Sequence, residues 1–190
     1  MLGLIKKKKG KGPIQEKVDS TSIGELRMKK DIEELKNIKE TCPQCQILNI
    51  SNKNMDIDLE ITPDKETYWS GGKYKFHIHI PDDYPNAQPE CKCETPIYHP
   101  NIDLQGNICL NIISKDKKGW IATLDISRLI VGLVYLFQDP NPQDPINHEC
   151  AKEMRENMES FKNNVKKTLQ GYTMFGVSFP KFIPGKSNYY

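Results

Sequence analysis

The chain has 190 residues, with 27 Lys and Arg against 25 Asp and Glu, a formal net charge of +2. That length suits one domain, or one domain with a tail, and leaves ample chain for a hydrophobic core. Near-cancelling charge gives no reason to expect bulk nucleic-acid binding, and no apolar run reaches the roughly 18–20 residues of a membrane span.

Residues 1–20 are rich in Lys and Gly and carry little periodicity, so we expect a flexible extension ahead of a domain over residues 21–190. Lys6, Lys7, Lys8, Lys9 and Lys11 cluster there behind Met1, Leu2, Leu4 and Ile5. Apolar residues followed by lysines reverse the order of a secretory signal, and Leu2 stands where myristoylation needs glycine. The setting expected is cytoplasm and nucleus.

"STSIGELRMKKDIEELKNI" begins a helix. Ser22 and Glu25 have capping-box spacing, Met28, Ile32 and Leu35 share one face, and Pro43 ends the run. A β region follows. "QILNI" is a short strand; "MDIDLEIT" alternates, with Met55, Ile57, Leu59 and Ile61 on one side. "SGG" turns into "KYKFHIHI", where Phe76, Ile78 and Ile80 point inward and His77 and His79 face water. "PDDYPNAQP" is a loop before a fourth strand, "ECKCE". Short connections predict a four-stranded antiparallel meander, each strand with one apolar face that another element must cover.

No regular element is predicted between Glu94 and Trp120. "LDISRLIVGLVYLFQ" is then apolar nearly all round, as for a helix buried against the sheet. "DPNPQDPIN" breaks it, and residues 145–172 carry one or two further helices. The expected class is α+β.

Six cysteines at this length do not form a disulfide framework. Cys42 with Cys45 and Cys91 with Cys93 could supply four thiolates to zinc. The first pair, however, flanks Pro43 at a helix-to-strand junction and the second alternates in a strand, so no metal is expected. Cys109, in "YHPNIDLQGNICLNI", is a separate question. Its residue type alone leaves a buried filler, a metal ligand beside His99, or a nucleophile paired with His99 or His148 all open.

The wider pattern resolves it. "IPDDYP…P", "TPIYHPNID", "GNICLNI", Trp120 and "LFQDPNPQDPIN" stand in the order and spacing of the ubiquitin-conjugating enzymes, and the chain resembles that family over residues 24–174. The resemblance implies an acyltransferase of ubiquitin-conjugating fold with an N-terminal helix, the meander, an active-site loop, a buried central helix and C-terminal helices. Cys109 would form a thioester with a modifier's C-terminal glycine. Asn101 would support the oxyanion or the loop that holds it, and Asp144 would orient and deprotonate the incoming lysine. His99 and Pro100 would shape the turn presenting Asn101, and Trp120 would pack near the active-site loop. No cofactor is implied, since ATP is consumed by the activating enzyme.

The chain departs from the family at Gln88–Pro89, where two prolines are frequent, and at Ala122, where a proline is favoured. Asp125 replaces a capping Thr or Ser and caps equally well. Ser114–Gly119, "SKDKKG", resembles a small insertion. "CETPIYHPNIDLQGNICLNI", "GLVYLFQDPNPQDPINHECA" and "KKTLQGYTMFGVSF" are similar to the branch serving the modifier Nedd (Rub). That likeness implies a monomer whose partners are the modifier, its activating enzyme, a RING-type ligase with a co-ligase, and a cullin substrate, with no nucleic acid and no membrane. Met1, Leu2, Leu4 and Ile5 would then be a docking peptide that orders on binding. The alternatives are a ubiquitin-specific conjugating enzyme and a non-catalytic binding module on the same fold; Cys109 argues against the second.

Overall fold

Strands β1 (Cys45–Ser51), β2 (Asp56–Ile61), β3 (Tyr74–His79) and β4 (Glu90–Cys93) hydrogen-bond in sequence order, each antiparallel to the last. This computed structural model describes residues 23–51, 55–110 and 119–184. Period-two alternation sets the register. Ile57 faces Ile78 and Leu59 faces Phe76 across β2–β3, and all four are wholly buried. A shift between Ile47 and Asn49 interrupts the outer β1–β2 pairing. On the opposite face, His77 and His79 bond Asp58 and Asp56 at 2.8 and 2.7 Å. They face outward, as expected.

The sheet's inner face is covered by α3 (Ile126–Gln138), whose Leu129, Ile130, Leu133 and Phe137 are buried. Phe137 meets Trp69, Tyr74 and Phe76 ring to ring. Each such side chain contributes about 1.5–3 kcal/mol by leaving water. Asp125 caps the helix by accepting from the Arg128 amide at 2.8 Å. The helix is not apolar to the core all round, however. Val131 and Tyr135 are 41% and 53% exposed, because the sheet occupies only one side.

The N-terminal helix is also less regular than its periodicity suggests. α1 (Ile23–Glu34) passes through a 3-10 turn (Leu35–Asn37) into the short α2 (Ile38–Thr41), which ends ahead of Pro43. Its buried face is Met28, Asp31, Leu35 and Ile38, with Ile32 only half-buried. A carboxylate thus sits where an apolar residue was expected. The capping-box residue Ser22 lies outside the described residues.

Beyond α3, α4 (His148–Glu156) and α5 (Met158–Leu169) pack against each other, each N-capped by an Asn side chain. A small hairpin, β5 (Thr173–Met174) with β6 (Val177–Ser178), follows and was not expected from the sequence; Phe175 and Gly176 at its tip have positive φ. Among the described residues, no helix is long and apolar enough to cross a membrane.

Candidate active site

Among the described residues, the segment after β4 carries no long element, yet it is tightly bonded. Gly106, at φ +84°, lies so close to the sheet that an added Cβ would stand 2.0 Å from the Cys93 carbonyl oxygen. Its own carbonyl accepts from the Cys93 amide at 2.9 Å. Asp103 Oδ1 accepts from the amides of Gln105 and Asn107, closing the turn that presents residues 107–110.

His99 lies inside this segment with no exposed surface, stacked on Trp69 at 4.3 Å and edge-on to Phe137. Nε2 donates to the Leu136 carbonyl at 3.0 Å, so Nδ1 carries no proton and accepts from the Asn101 amide at 2.9 Å. Burial holds its pKa down at about 3. It is a neutral strut between α3 and the Asn101 turn rather than a base for Cys109.

Pro100 and Asn101 bind the active-site segment to the proline-rich one. The Pro100 carbonyl accepts from the Ile146 and Asn147 amides, both at 3.0 Å. Asn101 is 2% exposed. Its Nδ2 donates to the carbonyls of Asn141 at 2.9 Å and Asp144 at 3.1 Å, and its Oδ1 accepts from the Asn141 amide at 2.8 Å. Both amide hydrogens are therefore committed to the loop. Of the two roles expected for Asn101, this geometry serves loop support. Arg155 of α4 donates to the Pro142 carbonyl and steadies the same loop from outside.

These bonds shape a groove of about 690 Å³. Cys109, half-buried, lies on one edge, its amide donating to the Asn101 carbonyl at 2.9 Å. Asp144, Leu124, Arg128 and Val131 line the groove too, as does Tyr135, whose hydroxyl donates to Asp139 at 2.8 Å. Cys109, Asn101 and Asp144 thus meet in one place, and among the described residues no histidine lines it. A half-buried thiol that shares a groove with a carboxylate suits acyl transfer from a substrate that is already activated, where no strong base is required.

Other expected residues fall elsewhere. Trp120 donates from Nε1 to the Pro85 carbonyl at 2.8 Å and packs beside Tyr84; it does not line the groove. Met1, Leu2, Leu4 and Ile5, and nearly all of the Ser114–Gly119 insertion, lie outside the described residues. Cys42 and Cys45 are buried at their junction, and burial pushes Cys45 up to about 12. Among the described residues, no His, Cys, Asp and Glu group is arranged to hold a metal ion. Sequence reasoning missed the groove's α3 wall. Its signal was present: Leu124, Arg128, Val131 and Tyr135 fall at i, i+4, i+7 and i+11, with an arginine inside an otherwise apolar stripe.

The model of a family described as ubiquitin-conjugating enzyme matches residues 27–169. The chain is 42% identical over 164 residues to the probable NEDD8-conjugating enzyme Ubc12-like of Arabidopsis thaliana, covering 86% of this chain and 85% of that protein. It is 41% identical over 161 residues to the Nedd8-conjugating enzyme UbcE2M of Drosophila melanogaster, covering 85% and 83%. Among solved structures it is similar to S. cerevisiae Ubc12, with a TM-score of 0.73, 30% identity, and coverage of 87% of this chain and 89% of that one.

Proposed function

This chain belongs to the ubiquitin-conjugating enzyme family, and we propose that it accepts a Nedd8-type modifier from its activating enzyme as a thioester on Cys109 and passes it to a substrate lysine. The modifier assignment is supported by relatives from a plant and an insect named as NEDD8-conjugating enzymes. The observation that carries the chemistry is the meeting of Cys109 and Asp144 in one groove.

Loading is thiol exchange. The Cys109 sulfur attacks the modifier's thioester carbonyl, a new C–S bond forms, and the bond to the activating enzyme's thiol breaks. The two thioesters are nearly equal in energy, so the step needs an accessible sulfur with some thiolate. Transfer is aminolysis. The lysine nitrogen attacks the same carbonyl, an amide forms, the Cys109 thiolate leaves, and the amine loses a proton. Asp144 orients that amine and takes up its proton. Asn101 acts by holding the Asp144 loop in register with Cys109. The protein partners supported by this reading are the modifier and its activating enzyme, which consumes the ATP. A RING-type ligase with its co-ligase, a cullin acceptor, and docking by Met1, Leu2, Leu4 and Ile5 complete the proposal.

The test is incubation with a Nedd-activating enzyme, ATP and the modifier, followed by electrophoresis with and without reductant. A thiol-sensitive adduct is expected on the wild type, a thiol-resistant ester on Cys109→Ser, and none on Cys109→Ala. A thiol-sensitive adduct that persists on Cys109→Ala ends this reading; charging with ubiquitin alone ends the modifier assignment.

A further inference from the structure

The groove has two walls, and Asn101 pins only one. The other is the outer face of α3 with Leu124, the last residue of the 121–124 turn that leads into it. Arg27 of α1 holds that turn, with Nη2 donating to the Leu124 carbonyl at 2.8 Å and Nη1 to the Ala122 carbonyl at 3.4 Å. Its Nε donates to Asp31 Oδ1 at 2.9 Å. Asp31 is 1% exposed, and its second oxygen accepts from the Tyr84 hydroxyl. The next residue, Pro85, accepts from Trp120, which returns the circuit to the same turn.

Burying a carboxylate is unfavourable unless both oxygens are satisfied, and an apolar residue here would continue the Met28, Leu35, Ile38 face. The carboxylate fixes the plane of the Arg27 fork, and the fork fixes two carbonyls of the turn. Leu124, at the end of that turn, lines the same groove as Cys109 and Asp144. We infer that Arg27 and Asp31 are positioning residues for transfer to lysine: they hold the Leu124 wall so that the acyl chain on Cys109 lies in line with Asp144. The inference rests on the reading of Cys109 as the acyl-accepting thiol.

Loading depends less on this wall. The thioester then arrives on another protein, and Cys109 sits on the segment bonded to β4 rather than to Arg27. In transfer, the acyl group is already attached and its angle to the amine is set by both walls. Displacements of about 1 Å from near-attack geometry slow such steps by up to about 10²-fold.

The test uses the full chain, charged with the modifier and discharged to free lysine in single turnover. Arg27→Ala is expected to slow discharge by at least about tenfold, with loading within about twofold of wild type and the fall in the limiting rate rather than in the lysine KM. Arg27→Lys, with one donor nitrogen in place of the planar fork, should lie between Arg27→Ala and wild type, and so should Asp31→Asn. Met28→Ala, from the same buried face, should lower thermal stability without slowing discharge. Wild-type discharge by Arg27→Ala would overturn the inference. So would equal losses in loading and discharge, or discharge that tracks thermal stability in Arg27→Ala and Met28→Ala alike. If Arg27→Ala does not fold, Arg27→Lys decides alone, and wild-type discharge by it overturns the inference. A wild-type protein that never charges would instead sink the proposed function, before any of these variants is compared.

Discussion

Replacing Asn101 with alanine separates two ways an active-site amide can act. The side chain makes three hydrogen bonds, at 2.8, 2.9 and 3.1 Å, all to the backbone of Asn141 and Asp144. A buried hydrogen bond is worth about 1 kcal/mol net, so the loss is about 3 kcal/mol. For a chain of this size that is a fall in Tm of about 6–12 °C. The freed loop carries Asp144 with it, so discharge to lysine should drop by roughly 10²-fold while loading of Cys109 persists. Asn101→Asp should be less stable still, because it sets a carboxylate oxygen against two carbonyl oxygens. Differential scanning fluorimetry and single-turnover discharge measure the two effects on the same samples. A variant that keeps the wild-type Tm yet loses discharge would refute the reasoning, since the amide would then act on the reacting carbonyl directly. Equal losses in loading and discharge would refute it too, by showing collapse of the whole site.

Three further outcomes are expected. Gly106→Ala should destabilise by about 1–3 kcal/mol from its positive φ alone, more with the clash against the Cys93 carbonyl, and a wild-type denaturation midpoint would contradict the close approach. His77 has its pKa raised by the hydrogen bond to Asp58, and the same bond to His77 lowers that of Asp58. The His77 contribution is present below its unfolded value of about 6.5 and is lost as pH rises through the raised folded value. The Asp58 contribution is present above about 3.9 and is lost as pH falls through its lowered folded value. Stabilisation by the pair is therefore greatest at about pH 4–6.5, though solvent screening keeps it small; His77→Gln should flatten the pH profile of the denaturation midpoint in that window, and an unaltered profile would remove the pair from the account. Deleting residues 1–20 should leave the fold intact and raise the concentration of enzyme needed for half-maximal charging; equal charging at limiting concentration would make the extension dispensable.

The sheet was legible because period-two alternation needs only neighbouring residues: Ile57, Leu59 and Ile61 face inward as read, and all are fully buried. The Asp125 cap was legible for the same reason. The site was legible through the motifs around Cys109, Asn101 and Asp144, not through periodicity, since its partners come from distant segments. What escaped notice depends on tertiary context. Nothing local marks Asp31 as buried, because its partners Arg27 and Tyr84 make that burial tolerable. Nothing local tells which side of α3 meets the sheet, so a segment apolar nearly all round reads as buried even though Val131 and Tyr135 stand exposed. Nor could the residue type of Asn101 disclose that both its amide hydrogens are taken by a loop some forty residues on.

The span of these bonds has a consequence for the growing chain. Strands β1 to β4 pair with sequence neighbours, so the sheet can zip up as it leaves the ribosome. Arg27 must wait for Leu124, 97 residues later, roughly 5–20 s at about 5–20 residues per second. Asn101 must wait for Asn141, 40 residues after itself. A chain that ends short of residue 141 therefore lacks both the partners of Asn101 and the Asp144 wall of the cleft.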